Sequence, residues 1–136
     1  MPTKPMLTDV GLLMIRVWIG FIGVFHGSQK LFSAFGGKGI AGFAEGLQKM
    51  NIPMPLVGAW AAAIAEFGGG ILIILGLFSR IAALPLMFTM LVAFFVAHKG
   101  VFAVQHGGGE YPLTIAVILL ALVIAGPGRF ALTRKW

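Results

Sequence analysis

The chain has 136 residues, of which 59% are hydrophobic and only 10% are charged. A soluble domain is usually about 45–50% apolar and about 25% charged, and a small one leaves much of its surface in water. This composition therefore excludes an ordinary soluble enzyme and a disordered tail. The net charge of +6 comes from basic residues scattered between apolar runs, so no nucleic acid partner is expected. The length allows one domain, which we predict to cover residues 1–136.

Four apolar runs approach the roughly 20 residues that a helix needs to cross a bilayer. The runs do not alternate in the two-residue pattern of barrel strands, so helices are expected. They predict an all-α integral membrane protein, a four-helix antiparallel bundle. The predicted helices cover about residues 9–31, 56–78, 81–98 and 111–126. A charged residue, Arg16, lies where a secretory signal peptide would be uncharged, so we expect the first helix to be retained.

The connections between the predicted helices differ in length. The first, residues 32–55, carries apolar side chains at helical spacing, namely Ile40, Phe43, Leu47 and Met50. This pattern predicts a short amphipathic helix that lies in the membrane interface or covers the bundle. The second and third helices are separated only by Ser79 and Arg80, which predicts a tight hairpin.

The basic residues indicate an orientation in the membrane. With four spans, both chain termini lie on one side, together with five basic residues: Lys4, Arg80, Arg129, Arg134 and Lys135. The other side holds four: Lys30, Lys38, Lys49 and Lys99. Basic residues are enriched in the cytoplasmic segments of membrane proteins. We therefore expect an inner-membrane protein whose two termini lie in the cytoplasm.

Two charged residues, Arg16 and Glu66, lie inside predicted spans, where a charge costs about 2.5–3.5 kcal/mol on insertion scales. Counted from the predicted helix ends at 1.5 Å per residue, their depths differ by only about 6 Å. Each also lies on a stripe of small residues along its helix. We therefore predict an intramembrane ion pair between Arg16 and Glu66, direct or through one polar group, which either locks the two helices together or serves a functional site.

A second polar group is predicted near the opposite membrane face. It comprises His26, Lys30, His98 and Glu110. Both histidines lie about 27 Å from the side of the termini at 1.5 Å per residue. Imidazole, ammonium and carboxylate groups at one level predict a binding site for a ligand head group, although each residue alone can simply reach towards water.

The sequence contains no self-contained catalytic motif. It has no cysteine, hence no disulfide or thiolate ligand, and its histidines lack the spacing of a metal site, so no metal is expected. No haem-binding or flavin-binding motif is visible, and no cofactor is expected to be bound covalently. Whether the chain catalyses a reaction stays open, and any electron transfer requires a partner that brings the cofactor.

Several short motifs follow one another along the chain. They are Arg16-x-x-x-Gly20, Phe25-His26-Gly27-x-x-Lys30-Leu31, Glu66-x-Gly68-Gly69, Leu75-Gly76-Leu77-x-x-Arg80-x-Ala82, Met90-x-x-Ala93 with His98, Glu110-Tyr111-Pro112-Leu113 and Gly126-Pro127-Gly128. This ordered set, about residues 16–129, resembles the DoxX family of small bacterial membrane proteins. It departs at the end, where the family often reads Arg-x-Ser-Leu-Asp and this chain reads Arg129-Phe130-Ala131-Leu132-Thr133.

The resemblance implies a four-helix protein of the inner membrane. The family takes its name from a subunit of an archaeal thiosulfate:quinone oxidoreductase, and other members are linked to quinone stress or assemble with soluble redox enzymes. For this chain, the resemblance therefore implies a quinone as ligand and a soluble or membrane redox partner.

These observations lead to one expected function and two alternatives. We expect a membrane subunit or partner of a quinone-linked redox system that binds a quinone-like or small apolar ligand. A small proton-coupled transporter is the first alternative, because a carboxylate lies within a span. A non-catalytic scaffold that recruits soluble redox enzymes is the second. Glycine stripes on more than one helix also leave a homo-oligomer open.

Overall fold

A computed structural model describes residues 3–136, and within that range the chain is all-α, with no strand. Its five α-helices are α1 (Lys4–Phe32), α2 (Gly39–Lys49), α3 (Pro55–Leu75), α4 (Ser79–Val92) and α5 (Glu110–Ala125). A π-helical turn, Ala93–Ala97, continues α4. Short 3-10 turns lie in two of the connections, at Ala34–Gly36 and Val104–His106.

Three helices of the described chain are long and apolar enough to cross a membrane: α1, α3, and α4 with its π-helical turn. The fourth apolar helix, α5, has 16 residues and is therefore about 24 Å long. The all-α class is confirmed, as are four apolar helices close to the predicted ranges. The first begins at Lys4 rather than at residue 9. Pro5 lies in its first turn, where the fixed φ and missing N–H of proline favour a helix start.

The predicted turn at Ser79 and Arg80 is wrong. Helix α3 ends at Leu75, and the turn follows at Gly76, whose φ is +71°. The N–H groups of Gly76 and Leu77 donate to carbonyls in the last turn of α3, at 3.1 and 2.8 Å. This arrangement is a Schellman cap, for which glycine is favoured because it adopts the left-handed conformation without a steric penalty. Ser79 and Arg80 instead begin α4.

Helices α1 and α3 run antiparallel and approach each other closely. A Cβ atom added to Gly20 would lie 2.6 Å from the carbonyl oxygen of Gly70, and one added to Gly27 would overlap the backbone of Phe67. As the residue number rises along α1, it falls along α3. The glycines of α1 therefore permit a backbone separation that larger residues would prevent.

The buried apolar core lies towards the α3–α4 turn. Helix α4 packs against α3 and α5, whereas α1 packs mainly against α3 and touches α5 little. The core side chains are Ile19, Ile73, Ala82, Ala83, Leu86, Ile115, Leu119 and Leu122. The core fills the half of the molecule nearer this turn, and the other half is packed less completely.

The helix predicted between the first two apolar helices is confirmed as α2. It packs against α3 and, to a smaller extent, against α1, and its Leu47 is buried. Its apolar side therefore faces the other helices. Helix α2 covers the end of the α1–α3 pair that lies away from the core.

Candidate ligand-binding cavity

A cavity of about 630 Å³ lies where α3 and α4 separate. Near their shared turn the two helices are close, since a Cβ atom on Gly69 would lie 3.3 Å from the carbonyl oxygen of Ala82. Farther from the turn, α3 presents small residues to the cavity, namely Gly58, Ala62 and Ala65. The volume falls within the roughly 300–1,000 Å³ that small-molecule sites usually have.

All five α-helices contribute to the wall of this cavity, and most of the wall is apolar. The lining residues Phe88 and Val96 are themselves 68% and 37% exposed. The cavity therefore opens on the flank of α4. The ionisable and hydroxyl side chains along the wall are His26, Lys30, Glu66, Thr89, His98 and Tyr111.

An ion pair between Lys30 and Glu66 forms part of the wall. Lys30 Nζ lies 2.6 Å from Glu66 Oε2, and the two side chains are 17% and 3% exposed. The same Nζ lies 4.9 Å from the centre of the Phe43 ring, a favourable position for a cation. Each charge thus has a partner, which a group removed from water requires. The other carboxylate oxygen, Glu66 Oε1, accepts no hydrogen bond from residues 3–136.

The two histidines of the wall are each held by one ring nitrogen. His26 Nδ1 lies 3.0 Å from Gln29 Oε1, and Gln29 Nε2 in turn donates to a backbone carbonyl. His98 Nδ1 lies 2.8 Å from the carbonyl oxygen of Gly107. Because both partner oxygens can only accept, each Nδ1 carries the proton. In the neutral ring, Nε2 then keeps its lone pair.

The π-helical turn at the end of α4 positions His98. It comprises Ala93–Ala97, and three of its residues line the cavity. A π-helical turn is uncommon and occurs often at functional sites. His98 follows directly, its own N–H donating to Ala93 at 3.0 Å. The wider turn thus brings His98 to the wall and to the loop that holds its Nδ1.

A sequence model of one family, DoxX, matches residues 11–99, which include most of α1 and all of α2, α3 and α4. The chain belongs to the DoxX family. The match contains Lys30, Glu66 and both histidines of the cavity wall.

Curated relatives of this DoxX protein extend over nearly its whole length. An uncharacterised protein of Haemophilus influenzae is 35% identical, over 92% of this chain and 90% of that protein. Two inner membrane proteins of Escherichia coli are also similar. YqjF is 32% identical over 96% of this chain and 98% of its own, and YphA is 28% identical over 91% and 89%. No solved structure matches the chain. Three of its helices are long and apolar enough to span a membrane, and together with these relatives they identify the DoxX protein as a protein of the inner membrane.

The structure brings together three of the four residues predicted to bind a ligand. His26, Lys30 and His98 all line the cavity. Glu110 does not: it begins α5, one residue before Tyr111, which does line the wall. A carboxylate in the first turn of a helix interacts favourably with the positive end of the helix dipole. This interaction explains why an acidic residue is favourable at position 110.

The predicted ion pair between Arg16 and Glu66 is wrong, because Glu66 pairs with Lys30. The contacts between α1 and α3 show why. A Cβ atom on Gly27 would overlap the backbone of Phe67, the residue after Glu66, so Glu66 lies close to the level of Gly27. Lys30 lies three residues from Gly27, about 4.5 Å along the helix, whereas Arg16 lies eleven residues away, about 16 Å. The depths counted from the predicted helix ends were in error because α1 and α3 are not aligned by those ends, and Arg16 lies beside Ile74 at the C-terminal end of α3.

The direction of the side chains adds to this difference between the two cations. Every Cα–Cβ bond in a helix tilts towards the N-terminus of that helix. Lys30 therefore leans back along α1 towards the level of Glu66, and Glu66 leans along the antiparallel α3 towards Lys30. Arg16 leans away from both, towards the α3–α4 turn.

Arg16 instead holds the segment that follows α5. Its Nη1 donates to the carbonyl of Pro127 at 2.8 Å, and its Nη2 donates to Phe130 at 2.9 Å and to Ile74 at 3.4 Å. The side chain is buried, with 1% exposed. A guanidinium can satisfy several carbonyls at once because its donors are arranged in a rigid fork.

Several residues of the cavity wall were not singled out from the sequence. Phe43 was recognised as part of an amphipathic helix but not as a neighbour of Lys30, and Tyr111 only as part of a motif. A signal for the Lys30–Glu66 pair was present, because Lys30 continues the stripe of Arg16 and the glycines on α1. Aligning the helices by their glycines rather than by their ends would have selected Lys30.

The chemistry of the wall is that of a binding site for an amphiphile. Among residues 3–136, no three histidine or acidic side chains are grouped in a way that could hold a metal ion. The wall offers a shielded ion pair, two imidazole nitrogens and two hydroxyls within apolar surroundings. Such a site can hold an apolar body and orient a polar head group by hydrogen bonds.

Proposed function

We propose that this DoxX protein binds a quinone-like ligand in the cavity and serves as a membrane subunit or partner of a quinone-linked redox system. The observation that carries the proposal is an apolar cavity of ligand size, open on the flank of α4, with Lys30, Glu66 and both histidines in its wall. A lipid-soluble ligand can enter such an opening from the bilayer. The wall then orients its head group, and the apolar residues exclude water from it.

The proposed architecture is a bundle of four antiparallel spans. Helix α5 carries exposed apolar side chains, among them Val117 (60%) and Ile124 (73%), which is unfavourable in water but expected in contact with lipid. At about 24 Å, α5 is shorter than a hydrocarbon core of about 30 Å. Local thinning of the bilayer can accommodate the difference.

We further propose that both termini lie in the cytoplasm, so that the cavity lies in the outer half of the membrane. Five basic residues on the side of the termini, against four on the other, support this orientation. A reporter enzyme that works only in the cytoplasm is expected to be active when it is fused to the C-terminus. Activity of a reporter that requires export would contradict the orientation.

A redox role requires a partner protein. The chain has no cysteine, and the described residues hold no metal-binding group, so the proposed system places the electron-carrying cofactor in a soluble or membrane partner. The part of this chain is to hold the quinone head group next to that partner. Lys30 and the histidines orient the head group.

Transport is supported less well than binding. The cavity residues lie in one half of the helices, and the other half contains the buried core together with Arg16 and its carbonyl partners. A transporter needs a polar path through both halves. The scaffold alternative does not use the cavity at all.

Binding is tested with 2-decyl-1,4-benzoquinone and the purified protein in lipid nanodiscs, with empty nanodiscs as the background. We expect saturable binding at micromolar concentration. Replacing Ala62, on the cavity wall, with phenylalanine is expected to weaken it at least tenfold because the larger ring fills the space. Ile64→Phe is the matched control, since Ile64 is on the same helix, is 59% exposed and does not line the cavity.

Two results would count against the proposal. The first is the absence of saturable quinone binding to the wild-type protein. The second is equal binding by the Ala62→Phe and Ile64→Phe variants, provided that both keep the wild-type helix content. That result would place the ligand elsewhere on the protein.

A further inference from the structure

The cavity wall contains three hydrogen-bond acceptors that have no partner within residues 3–136, and two of them are histidine nitrogens. Gln29 Oε1 and the carbonyl of Gly107 each accept the Nδ1 proton of a histidine. The Nε2 atoms of His26 and His98 form no hydrogen bond within residues 3–136. Each neutral ring therefore presents a lone pair from a residue that lines the cavity.

The ion pair adds a third free acceptor. Glu66 Oε2 is engaged by Lys30, whereas Glu66 Oε1 accepts no hydrogen bond from residues 3–136. The donors that a ligand can meet are the hydroxyl of Tyr111 and the ammonium of Lys30, of which one N–H group is already directed to Glu66. The ammonium has further N–H groups, so a ligand oxygen beside it can also accept a hydrogen bond.

This pattern distinguishes the oxidised and reduced forms of a quinone. A quinone oxygen only accepts hydrogen bonds, so it can meet Lys30 but would face the lone pairs of the histidines and of Glu66 unpaired. A hydroxyl oxygen both donates and accepts. A site whose acceptors have no other partner favours a ligand with the matching hydroxyl over an analogue that lacks it.

We propose that the cavity selects ligands whose head group donates hydrogen bonds, a hydroquinone or an alkylphenol, over the oxidised quinone. The proposal rests on the proposed function, because it specifies which form of a quinone-like ligand the same cavity holds. One hydroxyl proton is directed to His98 Nε2 or His26 Nε2. The oxygen that carries it can accept from Lys30.

The test compares ligands of equal chain length whose head groups either carry a hydroxyl proton or lack one. The probes are 4-decylphenol against its methyl ether 4-decylanisole, and 2-decyl-1,4-hydroquinone against 2-decyl-1,4-benzoquinone under anaerobic conditions. Binding to the wild-type protein is measured in nanodiscs by calorimetric titration, with empty nanodiscs subtracted. We expect each hydroxyl compound to bind at least tenfold more tightly than its partner, which corresponds to about 1.4 kcal/mol.

A conservative variant tests the histidine directly. Asparagine at position 98 can place an amide N–H near the position of His98 Nδ1 and keep the bond to Gly107, but it has no group at the position of Nε2. We expect His98→Asn to fold normally and to lose most of the preference for 4-decylphenol. His106→Asn is the matched control and is expected to keep the preference, because His106 is exposed and does not line the cavity.

The outcomes separate this inference from the proposed function. If no probe binds to the wild-type protein, both are wrong. If the quinone and the anisole bind as tightly as the hydroxyl compounds, the cavity binds quinone-like ligands without selecting the reduced form, and only the inference is overturned. If His106→Asn reduces the preference as much as His98→Asn does, the assignment of the acceptor to His98 is wrong.

Discussion

Replacing Lys30 with methionine is expected to destabilise the protein by about 3–5 kcal/mol, the usual cost of removing one partner of a buried ion pair. The Glu66 side chain is 3% exposed and would lose the cation 2.6 Å from its Oε2 atom. Glu66→Gln is expected to cost less, because Lys30 is 17% exposed and can move towards water. The free energy of unfolding is measured by titration with a denaturing detergent.

The double variant Lys30→Met, Glu66→Gln is the informative comparison. Since it leaves no isolated charge, we expect it to be more stable than Lys30→Met alone, so that the two single effects are not additive. The control is Lys49→Met, which breaks the exposed pair with Glu45 and is expected to change stability little. Additive effects, or a Lys30→Met effect as small as that of the control, would contradict a buried coupled pair.

Replacing Arg16 with methionine is expected to release the segment that follows α5. The guanidinium makes two short hydrogen bonds, to the carbonyls of Pro127 and Phe130. Leaving the buried carbonyl of Pro127 unpaired costs about 1–3 kcal/mol, and the carbonyl of Phe130, whose bond is only partly buried, adds less. Other bonds of this segment, such as that from Thr133 N–H to the carbonyl of Gly76 (2.9 Å), are expected to weaken with them.

Hydrogen exchange read by mass spectrometry locates this effect. Peptides that cover residues 126–136 are expected to exchange faster in Arg16→Met, whereas those of the distant α2 are expected to stay unchanged. Arg129→Met is the matched control, since the Arg129 side chain is exposed and its backbone N–H still donates to Asp9. Unchanged exchange in this segment of Arg16→Met would show that the guanidinium does not hold it.

The helices were predictable because the bilayer requires them. A backbone in lipid has to satisfy its own hydrogen bonds, so long apolar runs become helices whatever surrounds them. The ends were less certain, because caps rather than hydropathy decide them. Gly76, in the left-handed conformation, ends α3 three residues before the predicted boundary at residue 78.

Aligning α1 and α3 by their predicted ends gave the wrong ion pair. Depths counted from those ends paired Arg16 with Glu66, whereas the packing of Gly27 against Phe67 places Glu66 within about one helical turn of Lys30 and about three turns from Arg16. The tilt of the side chains, which depends on which end of each helix is its N-terminus, also favours Lys30. The spacing of residues along the sequence does not give the direction in which their side chains tilt.

The sequence by itself determined that this is a membrane protein of apolar helices, and that its few internal polar residues are the ones to examine. Composition and periodicity are sufficient for this because they follow from the transfer of side chains out of water. The tertiary structure alone decided which of those residues meet. The glycine contacts set the register of α1 on α3, the separation of α3 and α4 forms the cavity, and the π-helical turn brings His98 to its wall. Each of these depends on contacts between residues distant in the chain, which local patterns do not specify.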